Sequence, residues 1–339
     1  MSIAIYATKQ TVQMFTHKDI ALRTIFVINC TQHDRVLRVS TGELLIEEHT
    51  KEKAKTLTKI PFPKILALFV IGHITMTSPL LERCKRYGVA LVVMKPNLRP
   101  VCYWSDAAEA NFLLRKKQYQ HEPDNLDIAR VLVQNKIQNQ QHLLMRSRRK
   151  DEAVIQTMEH CRQALENCPN ISELKTLLGC EGQVAKEFFA VYFESLEWKG
   201  RKPRIKSDPI NVILDIGYTI LFNYIESNLR LFGFDLYVGV YHRLWFKRNS
   251  LVCEIMEPFR CIIDHAVLLA FHRKQFQTSH FEKRKHEYYL KPNFSMTYYQ
   301  VFFEALIERK REIFQYVQQY YRAFMGRKTA AQFPTFQFS

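Results

Sequence analysis

A change of hydrophobic period near residue 100 constrains this chain more than any other feature. From Arg23 to Lys95 apolar residues come in short runs rich in β-branched side chains. After Asp106 they recur three and four apart almost to the end. The first pattern is that of strands and the second that of amphipathic helices. The expected class is therefore α+β, a small N-terminal β-rich domain followed by a larger all-α domain. Residues 1–22 are polar, lack a period and read as an extension. The β-rich domain covers 23–97, a linker around Pro96 and Pro100 covers 98–106, the helical domain covers 107–325, and 326–339 read as a flexible tail.

Within the first domain, strands are expected at Thr24–Cys30, Arg35–Ser40 and Glu43–Glu47, separated by turns at Asp34 and Gly42. The apolar run Lys64–Gly72, behind Pro61 and Pro63, reads as a buried strand, and Ala90–Lys95 as another. Between them a short helix near Ser78–Tyr87 is stopped by Gly88, a residue suited to a left-handed cap. Beyond the linker, helices are expected at Ala107–Gln118, Leu126–Arg146 with Asn and Gln on its remaining faces, Asp151–Asn167, Ser172–Cys180, Ile210–Leu231, Leu251–Arg273 and Thr297–Arg322. The aromatic stripe Phe188, Phe189, Tyr192 and Phe193 has the spacing of core.

Charge narrows the function. Lys and Arg exceed Asp and Glu by 49 to 33, a net +16, which favours a polyanionic partner. The clusters are local: Lys199, Arg201, Lys202, Arg204 and Lys206 precede Asp208, and Arg148 and Arg149 lie in another run. Together they point to phosphate contacts with nucleic acid. No apolar run reaches the roughly 18 residues of a membrane span, and the start lacks the order of a secretory signal, so a cytoplasmic protein is expected. None of the eight cysteines forms a C-x-x-C pair, and reduced, mostly buried thiols are expected. A Walker loop is absent.

Chemistry concentrates between Gly179 and Asp264. Glu254 and Glu257 are three apart in an expected helix and so share a face, where a cation must relieve their repulsion. A lysine or arginine could serve, or a divalent metal, since Mg²⁺ and Mn²⁺ prefer carboxylate oxygens and Mn²⁺ also accepts imidazole. His242 ends the apolar run Val238–Tyr241, as a packing residue or a ligand. Glu181 stands between Gly179 and Gly182, which suits a helix start or a close approach of backbone.

Taken together these stretches resemble one family. Leu178-Gly-Cys-Glu-Gly-Gln-Val-Ala-Lys-Glu-Phe-Phe189 is similar to the first catalytic motif of the CRISPR-associated integrases. Asp208-Pro-Ile-Asn211, followed by Gly217-Tyr218, resembles a helix motif of that family, Gly239-Val-Tyr-His242 its histidine motif, and Ser250–Asp264 its acidic motif. Four motifs in order extend the resemblance over nearly the whole chain beyond residue 22.

The resemblance implies that Glu181, His242 and Glu257 form a catalytic Mg²⁺ or Mn²⁺ triad. Glu254 takes a nearby acidic position where the family more often has Asp, and Asp264 is structural. It implies attack of a DNA fragment's 3′-hydroxyl on a phosphodiester at the edge of a CRISPR repeat, a transesterification that inserts a spacer. The fragment is duplex with single-stranded 3′ ends. Partners implied are a second copy, joined through the β-rich domain, and a small ferredoxin-like companion bridging two dimers in a prokaryotic cytoplasm. A general nuclease of branched DNA and a non-catalytic DNA-binding scaffold are the alternatives.

Overall fold

Strands β1 (Thr24–Ser40) and β4 (Ile65–Met76) run parallel at the centre of a six-stranded sheet. The computed structural model describes residues 15, 17–49, 53–105, 111–120, 125–198, 200–242 and 246–338. Outward from β1 lie β2 (Glu43–His49) and β3 (Ala54–Pro61), both antiparallel. Outward from β4 lie β5 (Ala90–Met94), parallel, and β6 (Pro100–Trp104), antiparallel, giving the order β3-β2-β1-β4-β5-β6.

The expected buried strand behind Pro61 and Pro63 is β4, in which every residue from Ile65 to Ile71 is at most 1% exposed. Such continuous burial belongs to a strand covered on both faces. Leu68 of this strand joins a core of Leu37, Leu44, Phe62 and Leu91 with Leu80 and Cys84 of helix α2 (Ser78–Tyr87). Each large side chain taken out of water contributes about 1.5–3 kcal/mol. Gly88 ends α2 as expected, in the left-handed conformation at φ 61°.

Three features of this region differ from expectation. Asp34 does not break β1; the strand continues past it, with the irregularity confined to a register shift between Cys30 and Arg35. The linker assigned to 98–106 contains β6, because Val101-Cys-Tyr-Trp104 has strong strand propensity and Pro100, lacking an N–H, sits at the strand's first position. Strand β3 was not expected: its Lys and Thr side chains are exposed and mask its period, as suits a sheet edge. The end of the expected extension also has structure. Helix α1 (His17–Leu22) buries Ile20, and Arg23 Nη1 donates to the carbonyls of Ile65 and Tyr87. Most of 1–22 lies outside the described residues.

The helical series follows as α3 (Phe112–Gln120), α4 (Leu126–Arg146), α5 (Glu152–Asn167), α6 (Leu174–Tyr192), α7 (Pro209–Phe232), α8 (Ser250–Met256), α9 (Arg260–His272) and α10 (Ser295–Met325), with a hairpin of β7 (Phe281–Arg284) and β8 (Glu287–Leu290) before α10. The expected order of a β-rich domain and then a helical one is what the chain adopts. Two compact units result. One holds the described residues up to Gln118 together with Asn223–Leu236, the other Tyr119–Phe222 and the chain from Tyr237 onward. The end of α7 thus belongs with the sheet rather than with the helical domain. In that first unit Asn223 accepts from the Tyr103 hydroxyl at 2.8 Å and donates to the Leu98 carbonyl at 3.2 Å.

In the second unit α4 packs against α5 and α6, and α9 against α10. On α4, Asn135, Asn139 and Gln140 are buried while Gln138 is exposed. The expected flexible tail is likewise packed, with Phe333, Phe336 and Phe338 buried. The expected single helix Leu251–Arg273 is broken at Glu257–Phe259, a 3₁₀ turn that contains Pro258. All eight cysteines are free thiols, and burial pushes Cys84 and Cys161 up to about 12. No described helix is long and apolar enough to cross a membrane.

Candidate metal centre

Helix α6 runs unbroken through Gly179 and Gly182, so Glu181 lies in mid-helix rather than at a helix start. A Cβ added to either glycine would meet nothing within 4 Å. The glycines therefore answer no packing demand; they leave the helix surface beside Glu181 bare. Opposite stands Lys136 of α4, whose Nζ lies 2.5 Å from Glu181 Oε1 and 2.7 Å from Glu257 Oε2. Arg260 Nη2 approaches the other Glu257 oxygen at 2.9 Å. Two carboxylates from distant parts of the sequence thus meet at one cation position, now filled by an ammonium group.

Electrostatics fit this geometry. Burial works against the Lys136 charge, but Glu181 and Glu257 outweigh it and hold its pKa above the ordinary value. Burial likewise opposes ionisation of Glu257, and Arg260 and Lys136 overcome it, bringing the carboxyl down to about 2. Glu257 Oε2 is buried and has the Lys136 ammonium as a close neighbour, at 2.7 Å. A carboxylate oxygen of that kind can accept a metal ion. Two hard carboxylates are a donor set that suits Mg²⁺, which is commonly held by one or two carboxylates plus phosphate. Among the described residues no three His, Cys, Asp or Glu side chains converge as a complete cage.

Glu254 does not share this position. Its carboxylate is fully buried against the 240–242 loop. It accepts the backbone N–H groups of Val240 at 2.7 Å, Tyr241 at 3.0 Å and His242 at 2.7 Å. His242 Nδ1 is 3.3 Å from the same carboxylate. A Cβ on Gly239 would collide with Glu254, so the glycine permits the loop to close on it. Glu254 fixes the histidine loop, and the structure places it with His242, while Glu181 and Glu257 are placed with Lys136.

Tyr241 borders both groups. It is 1% exposed, its hydroxyl makes no hydrogen bond to a described residue, and burial followed by the charges of Glu181, Glu257 and Glu254 raises its pKa well above the ordinary value. Sequence reasoning missed Lys136, Tyr241 and the role of Arg260. The one available signal for Lys136 was a basic residue between Asn135 and Asn139, with Val133 and Ile137 of the helix's apolar positions close by. Asp264, read as structural, is so placed: it accepts from Tyr218 at 2.5 Å, and burial pushes it up to about 7.

The basic residues divide into two kinds. Arg201 pairs with Asp215 at 2.5 Å and donates to Asn211, and Arg149 is tied to Asp151 and Glu194. Both are thereby structural as much as available. Lys206 lies 4.0 Å from the Tyr289 ring centroid. Lys202, Arg204 and Arg148 are exposed and form no ion pair with a described residue. Lys199 lies outside the described residues. Asn211, fully buried, accepts from the Lys202 N–H at 2.7 Å and donates to the Gly200 carbonyl, pinning the basic loop to α7.

Known proteins share this arrangement of domains. A family model described as CRISPR associated protein Cas1 matches residues 28–304. The CRISPR-associated endonuclease Cas1 1 of Thermodesulfovibrio yellowstonii is 26% identical over 276 residues, covering 78% of this chain and 86% of that protein. Two solved structures have the same fold. A casposase bound to integration product superposes with a TM-score of 0.71 at 18% identity, covering 90% of this chain and 91% of the other. A partial Cas6-RT-Cas1–Cas2 complex does so with a TM-score of 0.71 at 20% identity, covering 92% and 98%. Since the family model spans most of its length, the chain belongs to the CRISPR-associated Cas1 family.

Proposed function

We propose that this protein is a metal-dependent DNA endonuclease and integrase that joins the 3′-hydroxyl of a DNA fragment to a CRISPR repeat. The observation that carries the reading is the Glu181–Lys136–Glu257 cluster, a half-buried and a buried carboxylate meeting at one cation position in a chain of net charge +16. Glu181 and Glu257 would hold a divalent ion, Mg²⁺ or Mn²⁺. When bound, such an ion neutralises the scissile phosphate and stabilises the departing 3′-oxygen. Glu254 orients His242 through Nδ1, which leaves Nε2 facing away from that carboxylate as a ligand or proton carrier. A carboxylate behind a histidine is the usual outer partner of a metal-bound imidazole. Lys202, Arg204 and Arg148 supply phosphate contacts.

The likeness to a casposase bound to integration product supports joining over simple cutting, and the likeness to a Cas1–Cas2 complex supports a small companion protein. The sheet unit is the proposed surface for pairing with a second copy. The name endonuclease carried by the curated relative supports a second reading, in which water replaces the 3′-hydroxyl as nucleophile. A 3′-hydroxyl fragment incubated with a supercoiled, repeat-bearing plasmid and Mn²⁺ distinguishes them. Joined product, absent in E181A and E257A proteins that still bind DNA, is expected; nicks alone favour hydrolysis. Full joining by E257A refutes the carboxylate centre.

A further inference from the structure

The segment after α10 is held to the helical unit by side-chain amides rather than by a helix or sheet. Asn135 and Asn139, each 1% exposed, stand one turn apart on α4. Asn135 Nδ2 donates to the Phe336 carbonyl at 2.7 Å, while its Oδ1 accepts the Phe336 N–H at 2.8 Å. Asn139 Oδ1 accepts the Phe338 N–H at 2.8 Å. The two amides imitate a neighbouring strand, giving alternate residues of the segment their backbone partners.

The same amide reaches the metal centre. Asn139 Nδ2 lies 3.0 Å from the Phe336 carbonyl and 3.1 Å from the carbonyl of Pro258, the residue directly after Glu257. The Phe336 ring packs 4.7 Å from that of Phe259, the residue directly after Pro258. The segment thus touches the 257–259 turn twice, once through Asn139 and once through Phe259. Lys136, the cation that receives Glu257, lies on α4 between the two asparagines. Moving the segment would free the turn and the helix that together set the Lys136–Glu257 distance.

We infer that Phe336–Phe338 is a positioning strap, acting through Asn139 and Phe259 to hold the Glu257 turn in the geometry that a divalent ion requires. The inference rests on the metal-dependent reading of the site. The strap touches no reacting atom. Its role is that of an outer-shell partner, whose loss commonly lowers metal affinity about 10–100-fold. Buried amides suit the task, since each left unpaired would be unfavourable, so strap and turn move together or not at all.

The test compares the full chain with a protein lacking residues 334–339 and with full-length N139A and F336A. Mn²⁺ affinity is read by titration in an electron paramagnetic resonance spectrometer, DNA affinity by fluorescence anisotropy, and exposure of residues 254–260 by hydrogen exchange. The shortened protein is expected to lose Mn²⁺ affinity by about tenfold or more, to keep its DNA affinity, and to exchange faster at 254–260. A synthetic peptide of residues 334–339 restores both Mn²⁺ affinity and slow exchange. N139A and F336A are expected to show smaller losses of the same kind. Unchanged Mn²⁺ affinity and exchange on removal of the segment overturn the strap. So does a loss in all three variants that comes only with global unfolding seen by circular dichroism. Should the full chain itself bind no Mn²⁺, the metal reading falls, and the exchange rate with and without peptide still decides whether the segment holds the turn.

Discussion

Lys136 Nζ and Glu257 Oε2 lie 2.7 Å apart, and the same ammonium serves Glu181 at 2.5 Å. One lysine therefore does for these two carboxylates, Glu257 buried and Glu181 half-buried, what a divalent ion would do. Replacing it with Met leaves the carboxylates facing each other, with Arg260 remaining on Glu257 alone. Removing one partner of a buried ion pair costs about 3–5 kcal/mol. K136M should unfold at a lower temperature than the parent in EDTA and recover much of the difference in Mn²⁺. Thermal unfolding in the two conditions checks this, and an equal loss in both argues against a cation site.

Gly239 should be intolerant of even one methyl group. A Cβ there overlaps the Glu254 carboxylate, which must then release some of the N–H groups of residues 240–242. G239A is expected to lose roughly 1–3 kcal/mol, the cost of a buried polar group left unsatisfied, and to lose DNA joining through displacement of His242. Urea unfolding and the plasmid assay measure the two effects. Retention of both parent values would mean that the loop is not anchored by Glu254.

Much of this was legible in the chain. The switch of period gave the order of the two domains, and the run behind Pro61 and Pro63 gave the central strand. Glu181 and Glu257 could be named because their motifs are local. Lys136 could not, because its meaning lies in two residues distant in sequence, and no periodicity records a tertiary ion pair. The role of Asn135 and Asn139 was hidden for a related reason: the backbone that an amide partners is not visible in its own sequence neighbourhood. Pro258 was visible, yet a proline in the first turn of a helix and one between two helices look alike in sequence. Nor could the sequence show that Glu254 binds the 240–242 loop while Glu257 meets Lys136.

Asp264 should make stability fall with rising pH. Its folded pKa, about 7, stands above the ordinary value of 3.8 because burial outweighs its hydrogen bond from Tyr218 and the nearby Arg260, Arg201 and Lys136. A carboxyl raised in this way favours the folded state when protonated. Its contribution is complete below the unfolded value and is lost as pH rises through about 7. Between pH 5 and 8.5 the loss amounts to about 2–3 kcal/mol. In D264N that part of the pH dependence should vanish, as urea unfolding at the two pH values will show.

The basic loop should respond differently at neighbouring positions. Arg201 is engaged with Asp215 and Asn211, so R201A is expected to lower stability by roughly 1–3 kcal/mol. K202A and R204A should leave stability within about 0.5 kcal/mol of the parent. Each should instead weaken DNA binding and reduce the slope of log affinity against log salt by about one. Anisotropy titrations over a salt series separate the classes, and an unchanged slope in the K202A/R204A double variant removes the loop from the DNA surface.

The break at Pro258 has a consequence for how this segment can vary over evolutionary time. Glu254 binds the 240–242 loop and Glu257 meets Lys136, and an α-helix ends between them at Met256. Each added or removed residue would rotate the downstream side chains by about 100°. The interval from 254 to 257 should therefore accept exchanges of letters while rejecting any change in their number. A single-codon deletion there would misdirect the Glu257 turn, Lys136 and the strap at one stroke, even if every remaining side chain were kept.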